Sequence, residues 1–157
     1  MFEIERKFLI IRPDDNILRG YDFSDIEQTY LVPKGRVRMR KYVDKTVYTH
    51  TVKTSVTDIT RVEKEREITQ NEYYELLKTA DAERRPVLKR RYIIPHNGFD
   101  FELDDFGARY THALLEIELP SEDSEFRIPD FIKVIREVTG ENEYKNSVIA
   151  AKGFSDK

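Results

Sequence analysis

At 157 residues with no cysteine, the chain is long enough to close one core and has no disulfide framework or thiolate chemistry to draw on. A net charge of −3 argues against a general nucleic-acid binder, and no apolar run approaches membrane-spanning length. With no signal-peptide pattern in Met-Phe-Glu-Ile-Glu, the expectation is a single cytoplasmic domain over 1–157 that engages neither nucleic acid nor membrane. Charged residues are 36% against 39% hydrophobic, so many charges must lie within or beside ordered structure.

The first strand is Met1–Ile10. Its side chains alternate faces, so Glu3, Glu5 and Lys7 share one side and Ile4 and Phe8 the other. Such a charged row requires open water, a bound cation or a partner set of opposite charge, because desolvating it unaided is costly. Arg12–Asn16 reads as a turn, and Asn16–Ser24 as an irregular or single-turn segment. Ile26–Val32 is a second strand, stopped by Pro33-Lys34-Gly35. Arg36–Val43 is a third, with Arg36, Arg38 and Arg40 opposite Val37, Met39 and Val43. Asp44-Lys45 turns into Thr46–Lys53, and Thr60–Ile68 lines up Glu63, Glu65 and Glu67 at period two.

Thr69 with Glu72 three residues later is a capping box, and Tyr73, Leu76, Leu77 and Ala80 form a helical stripe that belongs to the core. Strands resume at Val87–Ile94, which places Lys89 and Arg91 together. They continue after a Pro95–Gly98 turn as Phe99–Asp104, with Asp100, Glu102 and Asp104 alternating with Phe101 and Leu103. Ala113–Pro120 closes the series, with Glu116 and Glu118 on one face. Pro129 opens a helix over Asp130–Val138 that ends at Gly140. A second helix starts at Asn142 or Glu143 and ends at Gly153.

A sheet whose polar side simply meets water usually mixes charge signs. Here nearly every strand carries one sign, and the opposite faces are mostly apolar. If helices cover part of the apolar side, the charged faces converge inside a curved or closed sheet, and closure also removes exposed edges. The expected architecture is a wide barrel with a polar lumen, acidic in one sector and basic in another. Hard divalent cations take carboxylate oxygens and are often shared with phosphates, whose remaining oxygens suit Arg and Lys. A metal-bridged linear polyphosphate would neutralise both sectors.

Several ordered motifs carry a resemblance over Phe2 to about Lys152. Glu3-Ile4-Glu5-Arg6-Lys7 resembles the Glu-x-Glu-x-Lys signature of the CYTH superfamily, the triphosphate tunnel metalloenzymes. Arg38-Met39-Arg40, Thr51-Val52-Lys53, Glu63-Lys64-Glu65, Lys89-Arg90-Arg91-Tyr92, Glu102-Leu103-Asp104 and Glu116-Ile117-Glu118 follow in the family's order, with Glu137-Val138-Thr139 and Tyr144-Lys145-Asn146 resembling its C-terminal block. The resemblance implies an α+β fold: a closed eight-stranded antiparallel β-barrel, the tunnel, with a few helices packed outside. It implies a metal-dependent triphosphatase using Mg²⁺ or Mn²⁺. Lys7, Arg38, Arg40, Lys53, Lys89, Arg91 and Lys145 would hold phosphate, and Glu3, Glu5, Glu116 and Glu118 would hold metal, joined by Glu102 and Asp104.

Lys7, Arg38 and Arg40 would also serve the chemistry, with Glu63 and Glu65 as candidates to activate water. Without an aromatic platform for a base, inorganic triphosphate is favoured as the small-molecule substrate. Thiamine triphosphate, a nucleoside triphosphate, class IV adenylyl cyclase chemistry and a non-catalytic polyphosphate-binding tunnel stay open as alternatives. So does a plain barrel with solvated charges, and so does the choice between monomer and homodimer. Arg6, Arg66 and Arg90 fall on the opposite face and are expected as surface charges.

Overall fold

The computed structural model describes residues 2–57 and 59–155, and the side chains of all of these but 2, 3, 53–55 and 61. Two expected site residues, Glu3 and Lys53, therefore have strand positions but side chains outside the described residues. The described residues form nine strands and three α-helices: β1 (Phe2–Ile11), α1 (Asp15–Leu18), β2 (Phe23–Tyr30), β3 (Arg36–Lys41), β4 (Thr46–Ser55), β5 (Thr60–Ile68), α2 (Gln70–Leu77), β6 (Val87–His96), β7 (Phe99–Asp105), β8 (His112–Glu118), β9 (Val134–Glu137) and α3 (Asn146–Lys152). No described helix is long and apolar enough to cross a membrane.

Every strand pairing is antiparallel, and the sheet runs β5-β4-β3-β2-β6-β7-β8-β1-β9. β1 holds β8 along one edge over Glu5–Ile11. Its other edge pairs with β5 at Phe2–Ile4 and with β9 at Phe8–Ile10.

The period-two alternation sets the faces. On one side, Phe8, Ile10, Tyr92, Ile94, Phe101, Leu103, Leu115 and Ile117 form the main core. Leu18 of α1 and the 126–132 loop, through Phe126, Phe131 and Ile132, close over it. On the same side, Tyr73 of α2 packs into a smaller cluster with Val37, Leu31 and Ile68. The capping box starts α2 as its residues dictate: the Glu72 N–H donates to the Thr69 hydroxyl and the Thr69 N–H to the Glu72 carboxylate, both at 3.1 Å.

Three local expectations are corrected. Residues 130–138 do not form a helix; Val134–Glu137 is β9. β5 covers only the first residues of β1, leaving the backbone groups of residues 7–11 on that edge to be satisfied, and the β-branched Val134 and Ile135 suit an extended segment there. The strand count thereby becomes nine rather than eight. Second, β6 runs through Pro95 to His96. Alternate residues of β6 face β2, and Pro95 comes after that neighbour has ended at Phe23, so its missing N–H breaks no ladder bond. The turn shrinks to Asn97-Gly98, both at positive φ (49° and 81°), as a two-residue hairpin requires.

Third, α3 does not lie on the apolar side. It follows a 3-10 turn at Asn142–Tyr144 and packs Ile149 and Ala150, with Tyr144 and Val138, against Leu9, Val87 and Leu114. Those three share the face of Lys7, Lys89 and Glu116. The charged face is thus capped at one end by an apolar plug.

Candidate active site

Beyond that plug the charged face borders a cavity of about 930 Å³. Its lining includes Glu5, Arg36, Arg38, Arg40, Glu63, Glu65, Arg91, Glu102, Glu116, Glu118 and Asn146. The register makes this assembly unavoidable. Gln28 opposes Arg38, Thr51 opposes Glu65, Ser24 opposes Arg91, Arg91 opposes Asp104, Glu102 opposes Glu116, Lys7 opposes Glu116, and Glu5 opposes Glu118.

The wall built by β6, β7, β8 and β1 is neutralised from within. Asp104 is fully buried and receives Arg91 Nε at 2.7 Å, Arg91 Nη2 at 3.0 Å and Lys89 Nζ at 2.6 Å. Burial alone would raise this carboxyl, but Arg91 and Lys89 together hold it well below the usual carboxylate range. Arg91 also reaches Glu102 at 3.2 Å and Glu116 at 3.7 Å. Lys7 Nζ donates to the Tyr144 carbonyl at 2.9 Å and pairs with Glu116 at 3.2 Å. Glu116 is likewise held low, with Lys7, Arg91 and Lys89 outweighing its burial. Glu102 moves the other way: its burial raises it, against the pull of Arg91. Lys89 is pushed down to about 8 by burial despite Asp104, and it also donates to Asn146 at 3.2 Å.

The β3 wall differs. Arg38 gives Nε and Nη2 to the neutral Gln28 Oε1 at 3.0 and 2.7 Å, and Gln28 in turn donates to the Tyr30 hydroxyl at 3.0 Å. Arg40 gives Nε to Ser24 Oγ at 2.7 Å and lies over the Tyr42 ring. Arg36 is buried, and its Nε has no hydrogen-bond partner. Among the described residues, none of these three guanidiniums has a carboxylate within ion-pair distance. Burial, then the charges of Arg36 and Arg91, push Arg38 down to about 9, so its positive charge is held against an unfavourable field.

The remaining expected residues are distributed around these walls. Glu63 and Glu65 line the β5 side, where Glu65 is exposed and accepts from Thr51 at 2.9 Å. Asp104 lies beneath Arg91 rather than among the residues lining the cavity. Lys145 joins Lys7 in a smaller recess behind Arg36. Arg6 and Arg90 are on the outer face, on Glu137 at 2.6 Å and Asp25 at 2.8 Å. The sequence gives Arg36, Thr51 and Asn146 a place in its patterns but no role, and does not mark Ser24 or Gln28. A neutral Gln between β-formers carries no local signal; only its register opposite Arg38 marks it.

Among the described residues, no three acidic or imidazole side chains already gather as a metal cage. The donor set nonetheless suits a hard cation. Glu5 with Glu118 and Glu102 with Glu116 are cross-strand carboxylate pairs on one cavity wall, all oxygen ligands.

An antiparallel sheet that presents unpaired arginines opposite a carboxylate-rich wall defines a binder of polyanions with oxygen sites for a cation. No family model matches the chain. It is 37% identical over 162 residues to the inorganic triphosphatase of Acetivibrio thermocellus, covering 98% of this chain and 96% of that protein. A solved structure of the inorganic triphosphatase NE1496 matches with a TM-score of 0.60 at 30% identity, covering 98% of this chain and 97% of that one. The PH1012 protein from Pyrococcus horikoshii OT3, at 23% identity and TM-score 0.52 over 77% of this chain and 80% of that one, shares the fold. The chain belongs to the inorganic triphosphatase family, hydrolases of the CYTH superfamily that its motifs resemble.

Proposed function

We propose that the protein hydrolyses inorganic triphosphate to pyrophosphate and phosphate in a divalent-metal-dependent reaction. The observation that carries this reading is the β3 wall: three guanidiniums, Arg36, Arg38 and Arg40, held by neutral groups or by none, line a cavity faced by carboxylates. Cations taken wholly (Arg36) or partly (Arg38, Arg40) out of water without anionic partners are costly, and a phosphate chain, whose oxygens match the guanidinium fork, relieves that cost. The 37% identity to an inorganic triphosphatase along nearly the full length supports the choice of substrate.

In this reading Arg36, Arg38 and Arg40 grip the phosphate oxygens, with Lys53 extending the same face along β4. Gln28 and Ser24 fix the directions of the Arg38 and Arg40 forks. Arg91, Lys89 and Lys7 set the charge of the opposite wall, and Asp104 positions Arg91 and Lys89 rather than meeting ligand. Glu5, Glu116 and Glu118, with Glu3 two residues before Glu5 and Glu102 beside Glu116, would hold Mg²⁺ or Mn²⁺. When bound, that cation supplies Lewis-acid polarisation of the phosphate oxygens.

Water adds to the terminal phosphorus as a cavity carboxylate, Glu63 or Glu65, takes its proton; the bridging P–O bond breaks and pyrophosphate leaves with the electron pair. The arginine wall stabilises charge that accumulates on the phosphoryl oxygens as this happens. The β1–β5 pairing, which links the first strand to the far end of the sheet, supports a closed tunnel around this chain of phosphates.

The test is phosphate release from triphosphate, thiamine triphosphate and ATP, each with Mg²⁺, Mn²⁺ or chelator, for the native protein, Glu5→Gln and Arg40→Ala. Metal-dependent release from triphosphate, lost in both variants, is the expected result. Turnover that survives Arg40→Ala, or that ignores chelator, would sink the reading.

A further inference from the structure

The strand β6 starts with one edge uncovered. Its pairing with β2 begins at Val87, whereas its pairing with β7 begins only at Arg90, which opposes Asp105. Ile93 gives its N–H to the Asp22 carbonyl, so odd-numbered residues of β6 bond toward β2 and even-numbered ones toward β7. Leu88 therefore aims its N–H and C=O at the β7 side, where a continued register would set it opposite Gly107. The chain turns away there instead. Gly107 has a φ of 125° and gives its N–H to the Asp105 carboxylate at 3.0 Å. Among the described residues no strand continues the ladder at Leu88, whose side chain is 62% exposed.

A groove of about 890 Å³ occupies this notch, between the start of β6, the 106–110 loop and the end of α3. Its floor is aromatic: Phe106 stacks on Phe154 with centroids 4.4 Å apart, and Tyr110 meets Phe154 edge-on at 5.2 Å. Its described lining carries three cations, Arg85, Arg109 and Lys152, and no carboxylate. None of the three has an acidic partner among the described residues. Arg109 rests on Tyr110, with its guanidinium 4.8 Å from the ring centroid. One sign of charge along an open strand edge selects its occupant. A second copy offering the same groove would bring cations against cations, whereas an acidic chain is attracted.

We infer that this notch docks an extended acidic segment of a partner protein, which adds beside β6 as a short strand. The segment's backbone pairs with the Leu88 N–H and C=O and with the Pro86 C=O, and the added ladder stops there because Pro86 has no N–H. Its carboxylates on the α3 side meet Arg85, Arg109 and Lys152, with the aromatic floor shielding these pairs from water. Its apolar side chains on the other side cover Leu88. No residue of the groove borders the phosphate cavity, so docking leaves hydrolysis free.

The probe is a fluorescein-labelled octapeptide of alternating Glu and Val, with an alternating Lys and Val peptide as its opposite. Binding is followed by anisotropy and by amide chemical-shift mapping for the native protein, Arg109→Glu, Lys152→Glu, Leu88→Pro and Arg38→Ala. The expected result is saturable binding of the acidic peptide alone, with shifts centred on residues 86–88 and 107–110. Each charge reversal should weaken it roughly tenfold, as the loss of a charge-assisted contact does. Leu88→Pro removes only an N–H that no strand neighbour accepts, and it should weaken binding in the same way. Lys152 and Arg109 are exposed and free of ion pairs, so their variants keep the fold and native triphosphate turnover even if Leu88→Pro does not fold. Absent binding, binding that survives both charge reversals, or binding lost in Arg38→Ala, which would seat the peptide in the phosphate cavity, overturns the inference. So does displacement by AMP combined with native binding in Leu88→Pro, since the groove would then hold a small aromatic anion and not a strand.

Discussion

The two walls of the cavity are built from the same residue types and are opposite in electrostatic design. On β6, β7, β8 and β1, the cations Lys7, Lys89 and Arg91 are locked onto Asp104, Glu102 and Glu116. On β3, Arg36, Arg38 and Arg40 rest on Gln28, Ser24 or nothing. The cations of the first wall are paired before any ligand arrives, and they hold its carboxylates in place. The second is left positive, and its neutral hydrogen-bond partners aim the guanidinium forks without cancelling them. Counting charges along the strands would treat the walls alike; what separates them is which strand lies next to each.

The largest effect should come from breaking the paired wall. Asp104→Ala strands Lys89 and Arg91 in a buried site, and removing one member of such a cluster costs about 3–5 kcal/mol. Urea unfolding in chelator should show a fall of that size. The pH dependence has a fixed sign. The Asp104 carboxyl titrates lower in the folded than in the unfolded chain, so the unfolded chain takes up its proton first as pH falls. Its stabilising contribution is therefore whole above the ordinary carboxylate pKa and is lost as pH drops below it. Asp104→Asn should flatten stability against pH in that acid range, and an unchanged slope would show that Asp104 does not anchor the wall.

Arg38→Ala should do the reverse. It removes a half-buried cation that has no carboxylate partner, so the unfolding midpoint should hold or rise. Triphosphate hydrolysis should fall about 10²–10³-fold in kcat/KM, the usual consequence of deleting one group that stabilises developing oxyanion charge. A variant that loses stability and keeps activity would invert the roles assigned to the two walls.

These roles were only partly legible in the sequence. Period-two charge on successive strands was enough to place Glu5, Lys7, Arg38, Arg91 and Glu116 on one face, because alternation is a local property. The Thr69/Glu72 capping box and the turn around Asn97-Gly98 were legible for the same reason. What failed depended on distant neighbours. Residues 134–137 became a strand because β1 had an open edge, a need expressed more than a hundred residues earlier in the chain. Asp104 looks like any other acid of its strand until the pairing of β6 with β7 sets it under Arg91. Gln28, which decides how Arg38 points, belongs to a strand whose charges, Asp25 and Glu27, lie on its other face.

A finer test converts one wall into the other. Gln28→Glu places a carboxylate where Arg38 now finds a neutral amide oxygen, at 2.7–3.0 Å. Arg38 would then be paired as Arg91 is. Stability should rise, and KM for triphosphate should rise about tenfold, equivalent to about 1.4 kcal/mol of lost binding. Gln28→Leu separates aiming from charge: it leaves Arg38 without its acceptor, so it should lower kcat while leaving the charge of the wall intact. If Gln28→Glu binds triphosphate as well as the native protein does, a neutral partner on β2 is not what keeps the second wall open.

The smallest effect belongs to a region that faces neither wall. α2 covers the outer cluster of Val37, Leu31 and Ile68 through Tyr73, and its first turn hangs on the reciprocal bonds between Thr69 and Glu72. Thr69→Ala removes the hydroxyl that accepts the Glu72 N–H and should cost about 1 kcal/mol, typical of a lost N-cap. Val37 alternates with Arg36 and Arg38 on β3, so this cap tests whether the outer core transmits to the arginine wall. The expected outcome is a lower urea midpoint with kcat/KM for triphosphate unchanged, because the directions of Arg38 and Arg40 are set by Gln28 and Ser24 on the inner face. A parallel loss of kcat/KM under folding conditions would mean that the packing of β3 against α2, and not the inner hydrogen bonds alone, aims the guanidiniums.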